Sequence, residues 1–265
     1  MSPQKEHDVS VSEIVREEPL PGAAIPRMEI PGWRERYGVV AGLTTRGTSG
    51  EGFDLGLSSD RPVGVVLGQW AAFRAAEPGF PLVALGRQVH GTEIAWHEGG
   101  HGWLMLDGID GHATDARGIL LTVSVADCTP VYLFDPTRGA MALLHAGWRG
   151  ASAHILERAV RLLTGRSGSL TADMIMHCGV GICGTCYEVG SEVFEAFGLS
   201  VPTAGKGTLD VREQLVRQGR ELGIGEVSVS SWCSGHDRDQ FHSHRRSKGT
   251  DGRMAAYLGM PLAAP

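Results

Sequence analysis

Four consecutive runs between residues 118 and 165 decide how this chain folds: GILLTVSV at 118–125, PVYLFD at 130–135, GAMALLHAG at 139–147 and GASAHILERAVRLLTG at 150–165. The first three are near-continuously apolar and are split only by the short turns DCT (127–129) and PTRG (136–139). Such runs predict strands buried on both faces. The fourth changes to helical spacing, with Ile155, Leu156, Ala159, Val160 and Leu163 on one side and Gly165 suited to its C-terminal stop.

Working outward, GVVAGLTTRG at 38–47 predicts a strand running into a loop. VGVVLGQWAAFRAA at 63–76 predicts a helix stopped at Pro78-Gly79, and PLVALGRQVHG at 81–91 a strand ending on a tight turn. Beyond the central runs, ADMIMHCGVGI at 172–182 reads as strand and loop, YEVGSEVFEAFG at 187–198 and LDVREQLVRQGRELG at 209–223 as helices, and EVSVSSWC at 226–233 as a last strand. Strands and helices are mixed throughout, without a repeat or a linker, which predicts one α/β or α+β domain. Residues 1–28 are polar and then Pro-rich (Pro19, Pro21, Pro26), so they are expected to form a poorly ordered lead-in to a single catalytic domain over 29–265.

Composition narrows the function. Of the 265 residues, 42% are hydrophobic and 20% charged, as in ordinary globular proteins. The formal net charge of −6 argues against a nucleic-acid partner, which calls for a basic surplus. No run is long and apolar enough to predict a membrane span, and the N-terminal stretch has no apolar signal core. Five cysteines, an odd number in a chain this long, predict a reducing, cytoplasmic setting rather than a disulfide framework. A monomer is the default expectation for oligomeric state.

Three segments each place a good metal ligand at the end of a predicted buried strand: Gln88-Val89-His90-Gly91, Ala126-Asp127-Cys128-Thr129-Pro130 and His145-Ala146-Gly147-Trp148-Arg149-Gly150. Strand ends are where α/β enzymes build sites. Two histidines and a cysteine would leave a fourth tetrahedral position open, as in catalytic zinc sites, although the wide spacing equally suits three satisfied core residues. Asp127 has two readings, a general base or orienting partner and an Asx-turn residue before Pro130. Gly147-Trp148-Arg149-Gly150 joins strand to helix, and Arg149 offers a planar guanidinium for an anion such as phosphate. Arg245-Arg246 within Phe241–Arg246, and Arg46 after Thr44-Thr45, are further anion-binding candidates or simply solvated basic loops. Cys183-Gly184-Thr185-Cys186 has the spacing of redox pairs and zinc knuckles, but a redox pair needs a thioredoxin-like context and a knuckle a second pair at a matching distance, and neither stands out in the sequence; buried or semi-buried thiols are the expectation.

Taken together, GRQVHG, DGHATD, SVADCTPVYLFDP, ALLHAGWRG, CYEVG, FHSHRR and GRMAA resemble, in the same order and over roughly residues 38–260, the family known as laccase-type polyphenol oxidases or peptidoglycan-editing factors, whose members include purine nucleoside phosphorylases. The resemblance implies an α+β fold with mixed β-sheets flanked by helices, related to cysteine-hydrolase-like deamidases. It implies a zinc ion on His90, Cys128 and His145. It also implies phosphorolysis of adenosine, inosine, guanosine and methylthioadenosine together with adenosine deamination. On that reading Cys128, Asp127, His90 and His145 are the catalytic group, and Gln88, Arg46, Arg149 and Arg245 meet nucleoside and phosphate.

The chain departs from the family pattern at Gly179-Val180-Gly181-Ile182, where a proline is usual, and at Cys183, Val125, Gln69-Trp70 and His244. The changes at His244 and Gln69-Trp70 bear on substrate preference. Two rival chemistries fit the same residues. A copper-dependent polyphenol oxidase would draw on many histidines, usually in His-x-His pairs, yet among the 11 histidines only His242-Ser243-His244 forms such a pair, so zinc is preferred over copper. A cysteine-type hydrolase acting on peptidoglycan precursors would use Cys128 as nucleophile and His145 or His90 as base.

Overall fold

The computed structural model describes residues 13–48, 52–57 and 61–262. In its first part the strands are β1 (Glu13–Val15), β2 (Glu18–Pro19), β3 (Arg27–Glu29), β4 (Val40–Thr44) and β5 (Leu82–Arg87), with helices α1 (Trp33–Tyr37) and α2 (Val63–Ala75). The middle holds β6 (Ile94–Trp96), β7 (Gly102–Asp107), β8 (Gly111–Thr114), β9 (Ile119–Val125), β10 (Thr129–Asp135) and β11 (Ala140–Ala146), then α3 (Trp148–Ser152) and α4 (Ile155–Ser167). The last part holds β12 (Ile175–Cys178), β13 (Glu188–Gly190), α5 (Ser191–Ala196), β14 (Lys206–Thr208), α6 (Val211–Glu221), β15 (Glu226–Ser230), α7 (His244–Ser247) and β16 (Met254–Gly259).

Two seven-stranded mixed sheets result, ordered β1-β15-β12-β10-β11-β8-β6 and β2-β3-β4-β16-β9-β5-β7, with β13 and β14 as a separate pair. The three central runs do not share one sheet. β9 lies between β16 and β5, while β10 and β11 pair antiparallel in the other sheet, from Thr129 opposite Ala146 to Asp135 opposite Ala140. The chain changes sheets at Ala126-Asp127-Cys128, where Asp127 takes a left-handed φ of 88°.

The near-continuous hydrophobicity follows from this layering, because period-2 alternation sends each strand's two faces into different cores. On β10, Tyr132 and Phe134 meet Leu121, Val123 and Leu143 between the sheets, whereas Val131 and Leu133 face Ile155, Leu156, Ala159, Val160 and Leu163 of α4. On the far face of the second sheet, Leu120 and Tyr257 pack against Trp70 and Phe73 of α2. The layers therefore run helix, sheet, sheet, helix. Truncating Leu121, which is fully buried between the sheets, to alanine is expected to cost about 2–5 kcal/mol, to be read from the midpoint of urea unfolding.

Several expectations are corrected here. The segment taken for a lead-in, residues 1–28, falls outside the described residues up to 12, but from 13 on it holds β1, β2 and β3, which add to the edges of both sheets. The buried Glu17 carboxylate ties it down by meeting His177 Nε2 (3.0 Å) and the Ser230 hydroxyl (2.6 Å). The single helix expected over 150–165 is two, broken at His154 in left-handed geometry (φ 63°), and the second stops at Gly168 (φ 66°) rather than Gly165. The helix expected over 187–198 begins as β13, and β16 follows the strand taken as the last. All five cysteines are free thiols, and no helix among the described residues is long and apolar enough to cross a membrane.

Candidate metal centre

His90, Cys128 and His145 converge from three separate elements. His90 lies in the loop after β5, Cys128 at the crossing from β9 to β10, and His145 on β11 one residue from its end. Their donor atoms all lie within 4.8 Å of one another, and the two imidazole rings stand 4.9 Å apart at 70°. The turn from β11 into α3 passes close over them at Gly147. A Cβ there would come within 2.8 Å of Cys128 Sγ and 3.3 Å of His90 Cδ2, so the position demands glycine for space.

Asp110, which immediately precedes β8, organises the cluster. Its fully buried carboxylate accepts three consecutive backbone N–H groups: Val89 (3.0 Å), His90 (2.9 Å) and Gly91 (2.8 Å). These bonds hold His90 in the left-handed region at φ 60°, a conformation that costs a non-glycine residue energy unless its surroundings impose it. The same carboxylate meets His145 Nδ1 at 2.9 Å, which orients the ring and leaves Nε2 as the nitrogen that could hold a metal. Asp110 is missing from the residues read from the sequence. Its only signal there was its place as the first residue of DGHATD.

The electrostatics suit a metal. Burial works against ionising Cys128, but the neighbouring His145 charge and hydrogen bonds from His145 and His90 outweigh it and bring the thiol down to about 6. For His145, burial opposes protonation, while the Cys128 thiolate and Asp110 raise it to about 9. Asp110 is held below the usual carboxylate range: its burial is overcome by the bonds from His145, Val89 and Gly91. The metal-free cluster at neutral pH is thus a thiolate–imidazolium pair, and ligating both groups expels one proton, from His145. Metal affinity is therefore expected to rise about tenfold per pH unit between pH 6 and 9 and to level off above 9. Below pH 6, where Cys128 is protonated as well, it falls more steeply. Competition against a chromophoric chelator across this range checks the slope.

The three side chains line a cavity of about 870 Å³. One part of its wall is apolar, with Leu55, Leu57, Leu85, Met105 and Ile182; another carries Arg149, Arg245 and Arg253. Arg149 is exposed and stacks on Trp148, 4.2 Å from the ring centre. Arg245 lies over Tyr187 and donates to the Glu188 carbonyl (2.7 Å). The other predicted residues are placed differently. Gln88 lines the cavity, but its amide is engaged on both sides, donating to Ser124 O (2.8 Å) and accepting from Ser124 N (2.7 Å). Asp127 points to neither histidine; it accepts from the Ser234 hydroxyl (2.6 Å) and from the Arg245 backbone N–H (2.6 Å). Arg46 lines a neighbouring cavity, 3.8 Å from Asp251. His242 is buried between Asp251 and the Phe53 carbonyl, so the His-x-His pair does not form a ligand pair.

The family of multi-copper polyphenol oxidoreductase laccases matches this chain over residues 41–261. The chain belongs to that family. It is 32% identical over 254 residues to purine nucleoside phosphorylase YlmD of Geobacillus stearothermophilus, covering 84% of this chain and 90% of that one. The crystal structure of YlmD from Geobacillus stearothermophilus superposes with a TM-score of 0.81 at 27% identity, covering 93% of this chain and 98% of that one. Adenosine deaminase RL5, from an unknown prokaryotic organism, is 32% identical over 160 residues, 56% of this chain and 61% of that one.

In this laccase-family chain, two clusters among the described residues unite three or more side chains able to hold a metal: the His90–Cys128–His145 set and a second set of Cys183, Cys186, Cys233 and His236. The sequence reading of Cys183-x-x-Cys186 as an isolated pair is corrected accordingly. Its counterpart, Cys233-x-x-His236, follows 50 residues on and reaches it through the fold.

Proposed function

We propose that this chain is a zinc-dependent purine nucleoside phosphorylase with a second activity as an adenosine deaminase, acting on adenosine, inosine, guanosine and methylthioadenosine. The observation that carries the reading is the His90–Cys128–His145 triad, oriented by Asp110 and opening into a cavity with an apolar wall and an arginine wall. Two imidazoles and a low-pKa thiol are a donor set that suits zinc, with three protein ligands and one side toward the cavity. When bound there, zinc supplies a Lewis acid and brings a water molecule's pKa toward neutrality.

The chain's own residues divide the remaining tasks. Leu55, Leu57, Met105 and Ile182 offer an apolar surface to the purine ring. Arg149, Arg245 and Arg253 present guanidinium groups to hydrogen phosphate, whose oxygen bonds to the anomeric carbon as the glycosidic C–N bond breaks, the departing purine nitrogen taking up the proton that the phosphate gives up. Asp127, its carboxylate already engaged, keeps the Arg245 segment against the cavity. In deamination the same apolar wall would present C6 of adenine to the triad, as zinc deaminases require of their base.

The test is adenosine incubated with and without phosphate, followed by separation of products. Adenine formed only with phosphate means phosphorolysis, and inosine formed in both samples means deamination. Absence of both would overturn the reading.

One observation favours a second reading. Cys128, His145 and Asp110 also stand in the order nucleophile, base and orienting carboxylate, which fits the proposed kinship with cysteine-hydrolase-like deamidases. Turnover of an acyl substrate that survives a strong chelator would identify that chemistry.

A further inference from the structure

We propose that Cys183, Cys186, Cys233 and His236 form a second metal site, a closed structural zinc centre that clamps two loops beside the main cavity. The four ligand atoms lie within 4.8 Å of one another. Cys186 Sγ and Cys183 Sγ stand 3.4 and 3.7 Å from His236 Nδ1. Ligands bound about 2.0–2.3 Å from a shared tetrahedral ion are roughly 3.5–3.8 Å apart, so these separations are those of a tetrahedron's edges. Four protein ligands complete the coordination and leave no position for substrate, which separates this site in kind from the three-ligand triad.

The surroundings are built for thiolates and a ligating imidazole. Cys233 Sγ accepts the backbone N–H groups of Cys183 and Gly235, both at 3.2 Å, and the Thr185 hydroxyl lies 3.1 Å from Cys183 Sγ. Gly235, inside Cys233-Ser-Gly-His236, has no room for a side chain. A Cβ there would come 2.7 Å from Cys186 Cβ, 3.1 Å from its sulfur and 3.2 Å from that of Cys233. His236 Nε2 lies 3.6 Å from Asp237 Oδ2, an oxygen that also accepts the Cys233 N–H at 2.8 Å. A carboxylate on the non-ligating side of a histidine is the usual support for a metal ligand. A disulfide between Cys183 and Cys186 would use two of these groups and leave the third sulfur and the imidazole without a purpose at that spacing.

The two loops that the ion would join flank Asp127, the neighbour of Cys128. Ile182 N–H donates to Asp127 O (2.9 Å), Ser234 N–H to Gly181 O (3.1 Å) and the Ser234 hydroxyl to the Asp127 carboxylate. Ile182 and Tyr187 line the main cavity. A clamp at this point holds one wall of the cavity while standing outside it.

The test is metal content by plasma mass spectrometry on the full chain purified with zinc. Two ions per chain are expected in the wild type, one in Cys128→Ala, one in Cys186→Ser, and one in His236→Ala, where the exposed histidine is removed with little risk to folding. His236→Cys, which restores a fourth ligand, should keep both. Cobalt loaded into Cys128→Ala should give the intense sulfur-to-cobalt absorption of a tetrahedral thiolate site. An ion retained in Cys128→Ala and lost in Cys186→Ser supports this site even if the catalytic reading fails, because nothing here is read from turnover. No zinc in Cys128→Ala, no cobalt–sulfur absorption, or a purified chain lighter by two hydrogens through a Cys183–Cys186 disulfide would overturn it.

Discussion

Replacing Cys128 with alanine is expected to lower purine nucleoside turnover about a thousandfold or more. Cys128 is the only sulfur of the triad and would be the only ligand whose charge offsets that of the proposed ion; the other two side chains are imidazoles. Its thiol is held down to about 6 by His145 and His90, so it is ready as thiolate at neutral pH. Without it, two histidines remain, too few for a stable site of this kind. A metal acting as Lewis acid supplies several kcal/mol to a transition state; at roughly 1.4 kcal/mol per tenfold, a loss of about 4 kcal/mol is three decades in rate. The change leaves the fold largely in place, because Cys128 is only partly buried and borders a cavity. Turnover and zinc content measured on the same sample check both halves. Activity that survives with the ion lost would show that the triad is not where chemistry occurs.

The second large effect is expected at Asp110. Asp110→Asn keeps the shape but replaces one acceptor oxygen with an N–H₂ group. It therefore cannot satisfy Val89, His90, Gly91 and His145 together. A fall of about 10–100-fold in metal affinity follows from losing an orienting partner. Asp110→Ala goes further and leaves three backbone N–H groups and a buried imidazole unpaired, at a cost of about 3–5 kcal/mol in stability. Chelator competition and urea unfolding of the two variants separate the effects. Asp110→Asn should move chiefly the first measurement and Asp110→Ala both.

Much of this was legible in the residues. The central strands were visible because burial on both faces leaves a nearly unbroken apolar run, as in Val131–Phe134. His90, Cys128 and His145, which the structure brings together, were visible because each stands at or just beyond the end of such a strand. What escaped was non-local. β9 and β10 go to different sheets at the backbone turn of Asp127 (φ 88°), and an aspartate that suits a turn does not say that the chain crosses between sheets there. Residues 13–28 read as loose because their strands are very short and add to edges, with Glu17 anchored by His177 and Ser230 far along the chain. Asp110 was passed over because its partners, His145 apart, are backbone groups. The Cys233-x-x-His236 pair was passed over because its counterpart is brought to it only by the fold.

On the proposed function, a zinc ion on His90, Cys128 and His145 makes purine nucleoside chemistry possible. The most direct measurement strips the protein with a chelator, adds back zinc or copper in steps, and follows phosphate-dependent release of adenine from adenosine. Activity is expected to vanish on stripping and to return with zinc, and Cys128→Ala to gain none. Activity indifferent to the chelator, or restored by copper alone together with oxygen uptake, would contradict it.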